Sequence, residues 1–444
     1  MSTITNRKIT GIAALLMFLP LWIYSQENSP YSRYGLGNLV PNKNIINRGL
    51  GGVAAAFADF QSVNFINPAS YSNLRITTFD IGLDIGNRTL KDIQTSEKYS
   101  STNIYISYLQ IGVPLISANS KKGFEKHKSW GLNLGLQPIT RVSYKIERNT
   151  RVIDSVQFLN EGTGGSYFAF AGTGYRIKNF SAGINLGYLF GSKDINNRKN
   201  FINDSVVYAR SNVQNKAVFG DLFYTLGVQY SILVKKDKEN KYNKYLRLGA
   251  YGNFKQRINV TTDSVYETFV YDALGGTLKQ DSIYENKNVS GKIDYPSSWG
   301  LGFIYEKENA FSVGIDFSLS RWGKYRFAGT KDLLADAWMI NAGGQLLPGL
   351  KEKKKYFSKA IYRAGIYYGR DITSVTGNTP VWGVSLGAGL PVYVARWSTQ
   401  YTTVNTVFEI GSRGNKNNGV KETFFRIGIG FSLSDLWFRK FKYQ

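Results

Sequence analysis

From Arg75 almost to the last residue the chain alternates apolar side chains with glycine or polar ones. Phe425, Ile427, Ile429, Phe431 and Leu433 interleave with Arg426, Gly428, Gly430, Ser432 and Ser434. The same split separates Phe311, Val313, Ile315, Phe317 and Leu319 from their neighbours, and Trp382, Val384, Leu386, Ala388 and Leu390 from theirs. Successive side chains of a β-strand point to opposite faces, so these stretches predict strands with one wholly apolar face. About fourteen such segments can be marked, the first near 75–86 and the last near 420–433, with no convincing 3.6-residue period between them. A soluble sandwich and a membrane barrel both produce this alternation. In the sandwich the apolar face is core; in the barrel it meets lipid, and the glycine-rich polar face makes room in the lumen.

The start of the chain separates these two outcomes. Residues 1–25 read as a secretory signal peptide: Arg7 and Lys8, an apolar run from Ile12 to Trp22, then Ser25, Gln26 and Glu27, with cleavage expected near Ser25 or Gln26. No cysteine occurs among the 444 residues, which excludes a lipoprotein anchor and disulfides. No later apolar run reaches the roughly 20 residues of a membrane helix. An exported chain of this kind either is soluble or spans its membrane as a closed barrel. Aromatics make up 15%, with 30 Tyr, 27 Phe and 46 Gly, as expected of aromatic girdles outside and a polar lumen inside. The strand count is also even, as single-chain bacterial barrels require. The expected fold is all-β: a transmembrane antiparallel barrel of about 14 strands over residues 75–434, located in the outer membrane. Residues 435–444, with Trp437, Phe438, Arg439, Lys440 and Lys442, form a basic aromatic periplasmic tail.

Between signal and barrel, residues 26–74 are different in kind. Gly49 to Asp59 is a run of small residues, and Asn67-Pro68-Ala69 follows shortly before the first strand. This order resembles the N-terminal hatch of FadL-type outer-membrane transporters, and so implies a hatch that plugs the lumen. Fourteen is also that family's strand number. Tyr295-Pro296-Ser297-Ser298-Trp299-Gly300-Leu301-Gly302 and the later SLSRWGK resemble the family's proline, aromatic, glycine strand and its tryptophan-bearing successor. SPYSRYGLGNL after the signal, LGLQPITRVSY in the third strand and the ending FFRIGIGFSLSDLWFRKFK resemble the PorV-like subset. The resemblance implies passive transport of hydrophobic, fatty-acid-like small molecules across the outer membrane. Its PorV-like side implies the alternative, a protein-binding barrel subunit or shuttle of a secretion or assembly machinery, as in type IX secretion. Expected partners are accordingly outer-membrane lipid and either a hydrophobic small molecule or an exported or outer-membrane protein.

The third strand alternates through Trp130, Leu132, Leu134 and Leu136, then meets Pro138, which has no N–H for the sheet ladder. An interruption is expected at Gln137, Pro138 and Ile139. The FadL resemblance implies that it forms a lateral opening. Catalysis is not expected, because the single histidine, His127, sits in the lysine-rich turn EKHKSW. With no His or Cys cluster, neither a metal nor another cofactor is expected. Asp80, Asp84 and Asp316 are expected to pair with Arg247, Arg363 or Arg426 across the lumen. The net charge of +24 gathers largely in lysine-rich turns: Lys121, Lys122, Lys126 and Lys128; Lys235 to Lys244; Lys351 to Lys359. No nucleic-acid module accompanies it, so anionic head groups are the expected partner rather than nucleic acid. The connections 87–98, 147–163, 194–213, 263–287 and 324–334 read as long polar outer loops.

Overall fold

The computed structural model describes residues 28–435, apart from 94, 118–126, 152–154, 203–208, 237–242, 273–275, 349–355, 374–376 and 393–400. Fourteen barrel strands follow one another in chain order: β1 (Thr77–Asp92), β2 (Lys98–Ile116), β3 (Lys128–Arg151), β4 (Ser155–Ile177), β5 (Phe180–Phe201), β6 (Arg210–Lys235), β7 (Lys244–Asn253 and Gln256–Tyr271), β8 (Thr277–Tyr295 and Ser298–Lys307), β9 (Phe311–Ser320), β10 (Ala337–Leu346), β11 (Ile361–Arg370), β12 (Pro380–Val392), β13 (Tyr401–Arg413) and β14 (Val420–Asp435). Each pairs antiparallel with the next, and β14 closes the barrel on β1, from Val420↔Asp92 to Asp435↔Thr77. β7 and β8 each break once. The break in β8 falls at Pro296, which cannot donate to a ladder.

The apolar face of the alternation points outward. Phe317, Leu386, Phe408, Ile410, Phe425 and Leu433 are exposed on the outer wall, while Asp84, Asp316, Ser385, Asn405, Glu409 and Ser432 are buried inside it. A sandwich would show the reverse, so this is a barrel. One end carries the tall hairpins β3–β4, β5–β6 and β7–β8 and is called upper here; the other carries the tight turns at 178–179 and 308–310.

Four stretches expected as long outer loops are mostly strand. β1 runs to Asp92, β3 and β4 pair as far as Arg151↔Ser155, β5 reaches Phe201, and β7 and β8 pair from Thr277↔Tyr271 down. Past the apolar band polar residues appear on both faces of a strand. The hydrophobic period disappears there while backbone pairing continues, as in Val260 to Tyr271, rich in Thr, Val and Tyr. Residues 324–334 are irregular, with a short hairpin of Arg326–Phe327 on Thr330–Lys331. The expected signal segment 1–25, most of the expected tail 435–444, and Lys121, Lys122, Lys126, Lys238, Lys241, Lys351, Lys353, Lys354 and Lys355 lie outside the described residues.

Residues 28–74 run inside the barrel. Tyr31, Leu36, Ile45, Leu50, Val53, Phe65, Tyr71 and Leu74 are all buried. At the upper end Tyr31 Oη donates to the Val420 carbonyl, beside the β13–β14 turn. At the lower end the Pro68–Asn73 3-10 turn packs on β4, β5 and β6. Between them lie a two-residue strand, Asn38–Leu39, and the short helix α1, Ile45–Gly49, capped by Asn44.

An outward-facing apolar wall makes a direct prediction. Leu386→Arg, at the middle of β12, should destabilise the barrel by about 2–4 kcal/mol, as arginine does at a bilayer midplane. Urea titration of protein folded into vesicles measures this. The same change at Ser385, which faces inward, should disturb packing of residues 49–51 rather than membrane insertion.

Candidate functional site in the lumen

Asn67 is wholly buried. Its side-chain oxygen accepts from the Ala69 N–H at 3.1 Å, which caps the 3-10 turn. Its Nδ2 lies 2.6 Å from the Ala55 carbonyl, 3.1 Å from that of Val228 on β6 and 3.2 Å from that of Ala250 on β7. An asparagine amide supplies both an acceptor and donors, so one residue fixes the turn and joins it to two strands. Gly174, Gly183 and Gly227 lie against Pro68 and Asn67, where any Cβ would collide with them. Asn67, Pro68 and Ala69 therefore meet the wall through its glycines.

Arg48, on α1, has Nη1 2.5 Å from Asp84 Oδ1 and grips Glu409 with Nε at 3.1 Å and Nη2 at 2.8 Å. Burial works against its charge, but Asp84 and Glu409 outweigh burial and hold the guanidinium well above its ordinary pKa. Asp316 Oδ2 accepts the N–H groups of Ala54 and Ala55 at 2.6 and 2.7 Å. Asp80 takes the Val63 N–H and the Tyr108 and Ser432 hydroxyls, each at 3.4 Å. The expected pairing of these acids with wall arginines is thus replaced by bonds to residues 48–63. Arg426 instead approaches Glu409 at 3.7 Å, Arg247 pairs with Glu306 at 3.3 Å, and Arg363 bonds Gln345 and Asn405. His127 is exposed at the turn before β3.

Gln137, Pro138 and Ile139 do not interrupt β3. The strand stays paired with β4 throughout, and the register slips once, Pro138↔Tyr167 being followed by Thr140↔Ser166. Ile139 is the extra residue of a bulge. On the other side, pairing with β2 ends at Leu109↔Leu136. A cavity of about 140 Å³ lies beside the bulge, lined by Gln137, Ile139, Phe65, Phe168, Phe223 and Trp322 among others. Next to it, sharing Leu39, Asn42 and Ile66, is one of about 320 Å³ with a different lining: Lys43, Arg48, Arg88, Arg370, Arg413 and Arg426 against Asp371, Glu409 and Glu422. An aromatic compartment thus adjoins a basic one. Neither basic nor aromatic lining was legible beforehand, because the residues come from thirteen of the strands and from the N-terminal segment.

The family model BamG matches residues 6–444. The chain belongs to the BamG family. No curated protein matches it by sequence. Solved structures of similar fold include the toluene transporter TodX of Pseudomonas putida, with TM-score 0.53, 14% identity, 89% of this chain and 99% of that one covered. A Pseudomonas aeruginosa FadL homologue has TM-score 0.51 and 11% identity, with 89% and 98% covered. The Ralstonia pickettii toluene transporter TbuX has TM-score 0.51 and 12% identity, with 88% and 98% covered. This BamG-family chain therefore has the FadL-type barrel fold.

Removing one partner of a buried ion pair leaves the other charge unpaired, at about 3–5 kcal/mol. Arg48→Met should loosen residues 28–74 while the barrel still folds. Limited proteolysis of folded protein in detergent should then cut within these residues at least about tenfold faster than in wild type, with heat-modifiable mobility of the barrel unchanged.

Proposed function

We propose that this protein is an outer-membrane barrel for passive passage of hydrophobic small molecules, with residues 26–74 acting as its hatch and the β3 bulge at Gln137, Pro138 and Ile139 marking a lateral exit. The observation that carries this reading is the aromatic cavity beside Ile139, reached from the lumen and set where β2 and β3 part. Proteins of the same fold are described as toluene transporters. This lumen supports a different ligand shape. Its aromatic compartment suits a hydrocarbon body, and the adjoining basic one suits an anionic end, so a fatty-acid-like amphipath fits both. Upper is then outside, and the lysine-rich turns face the periplasm.

A second reading is a protein-binding barrel, a subunit or shuttle of an outer-membrane secretion or assembly machinery of PorV-like kind. It is favoured by how fully residues 28–74 occupy the lumen, bonded at both ends and in the middle. Such a barrel presents its rim and outer hairpins to a partner and need not open.

Ile66 lines both cavities. Ile66→Trp should fill the junction and cut uptake of a fluorescent fatty acid into proteoliposomes by about tenfold or more, the scale of one blocked contact. Uptake equal to wild type, with the barrel folded, removes the transport reading. A stoichiometric protein co-purifying with the wild-type barrel would then support the second.

A further inference from the structure

Arginines that face the lumen are mostly answered by carboxylates. Arg48 has Asp84 and Glu409, Arg88 has Glu422 at 3.4 Å, and Arg413 has Asp371. Arg363 has two neutral acceptors, the side-chain oxygens of Gln345 and Asn405. Arg176 is different. It lies on the inward face of β4, one residue before the strand's lower end, between the outward-facing Tyr175 and Ile177. One terminal nitrogen donates to Asn73 Oδ1, at the end of the Pro68–Asn73 turn, and no other group among the described residues accepts from it. Its Nε is enclosed with no hydrogen-bond partner.

The surroundings of Arg176 hold like charge and few acceptors. The charged side chains that act on it are two cations, Arg247 and Arg75. Arg247, on β7, has Nη2 3.3 Å from Glu306, and its other nitrogens donate to Ser231 Oγ and the Ala56 carbonyl. Arg75, where the N-terminal segment passes into β1, is exposed, and its guanidinium has no partner among the described residues. Three guanidinium groups at the lower mouth thus share one carboxylate. Two neutral groups beside Arg176 are also enclosed without partners, Asn73 Nδ2 and Ser129 Oγ. Ser129 is 1% exposed and stands directly opposite Arg176 in the β3–β4 register. The guanidinium, the amide nitrogen and the hydroxyl are all donors, so the cluster is rich in donors and short of acceptors.

Enclosed donors without acceptors are costly in a native fold and mark the place of a water or an ion. Water satisfies the donors but leaves the like charges in place. A carboxylate or phosphate group does both, and the planar fork of arginine matches two of its oxygens. Bilayer head groups do not reach this cluster, because Arg176 and Arg247 are on the lumen side of the wall, and Tyr175, Ile177 and Leu248 are on the lipid side. We propose that Arg176, with Ser129 and Asn73 beside it and Arg75 and Arg247 around it, is an oxyanion site at the lower mouth of the lumen, taking a carboxylate or phosphate group borne by a soluble anion or by an acidic polypeptide. None of these five residues lines either cavity described above, and the site does not rest on the transport reading.

Calorimetric titration of the folded protein in a neutral detergent, with inorganic phosphate and with hexaglutamate as probes, tests this. At least one probe should bind with a stoichiometry of one, and Arg176→Gln should weaken that binding by about tenfold or more, as loss of a charge-assisted bidentate contact does. Arg75→Gln should weaken it by about threefold or more, since Arg75 adds charge at the rim of the site. Lys178→Gln removes the same charge from the exposed turn next to Arg176 and should leave affinity within about twofold of wild type. Hexaglutamate binding at least about tenfold tighter than phosphate assigns the site to an acidic polypeptide; a smaller ratio assigns it to a soluble anion. Absence of stoichiometric binding by both probes overturns the proposal, and so does Arg176→Gln binding as wild type does. A loss with Lys178→Gln equal to that with Arg176→Gln also overturns it, because the attraction is then diffuse. If heat-modifiable mobility shows that Arg176→Gln does not fold, Arg75→Gln and Ser129→Ala decide, and unchanged binding in both overturns the site.

Discussion

Asp84 and Glu409 lie in a lumen that shields them from water; the wall brings Arg426 to 3.7 Å from Glu409, but the cation that bridges both carboxylates comes from elsewhere. Arg48 brings it from the N-terminal segment. A buried carboxylate costs several kcal/mol unless it is paired and hydrogen-bonded, so the wall and the segment each lack something the other provides. The same logic extends along α1 and the small-residue run. Asp316 is answered by two backbone N–H groups, and the Ala55 carbonyl by Asn67 and Gln229. Such pairs add little net stability over an apolar core, but they fix one placement of the segment among many.

Close approach is the second condition, and the wall's glycines meet it. Gly249 lies against Ala55, Gly343 and Gly365 against Leu50 and Gly51, and Gly131 against Tyr71. Glycine on the inward face of a strand weakens the strand but lets another backbone come near. The polar, glycine-rich half of the alternation is thus an imprint of residues 44–74, more than a lining for open water.

The strands were readable because lipid and lumen impose period two on them, and the count and closing order followed. The upper hairpins were not, since Val260 to Tyr271 and Thr277 to Lys292 mix polar and apolar residues on both faces and keep only the backbone pattern. Asn67 was singled out by its place in Asn-Pro-Ala, and the structure buries it among three carbonyls. Arg48 escaped notice: it sits in a five-residue helix with no period to mark it, and its partners lie far away in the chain, at Asp84 and Glu409. Wall acids were therefore matched to wall arginines, the only cations that the alternation had placed inside.

Pro138 shows why one residue could suggest an event that a neighbour performs. A missing N–H does weaken a ladder, yet the register shift from Pro138 to Thr140 carries β3 past it with β4 still attached. What ends is pairing with β2, and it ends two residues before the proline, at Leu136, where β2 has its own bulge close by at Ser107. Two bulges on facing strands turn both away from their shared seam, and twist increases at each. The space so made is long enough for an extended segment, and its edge carries backbone groups that need partners. Residues 28–40 supply them. Any ligand leaving sideways at this point must displace chain rather than merely pass a gap. Leu39 of this segment also lines the aromatic cavity, so a molecule filling that cavity touches the segment directly. Such a ligand could bias the placement of the segment only by the difference between its affinities for two placements.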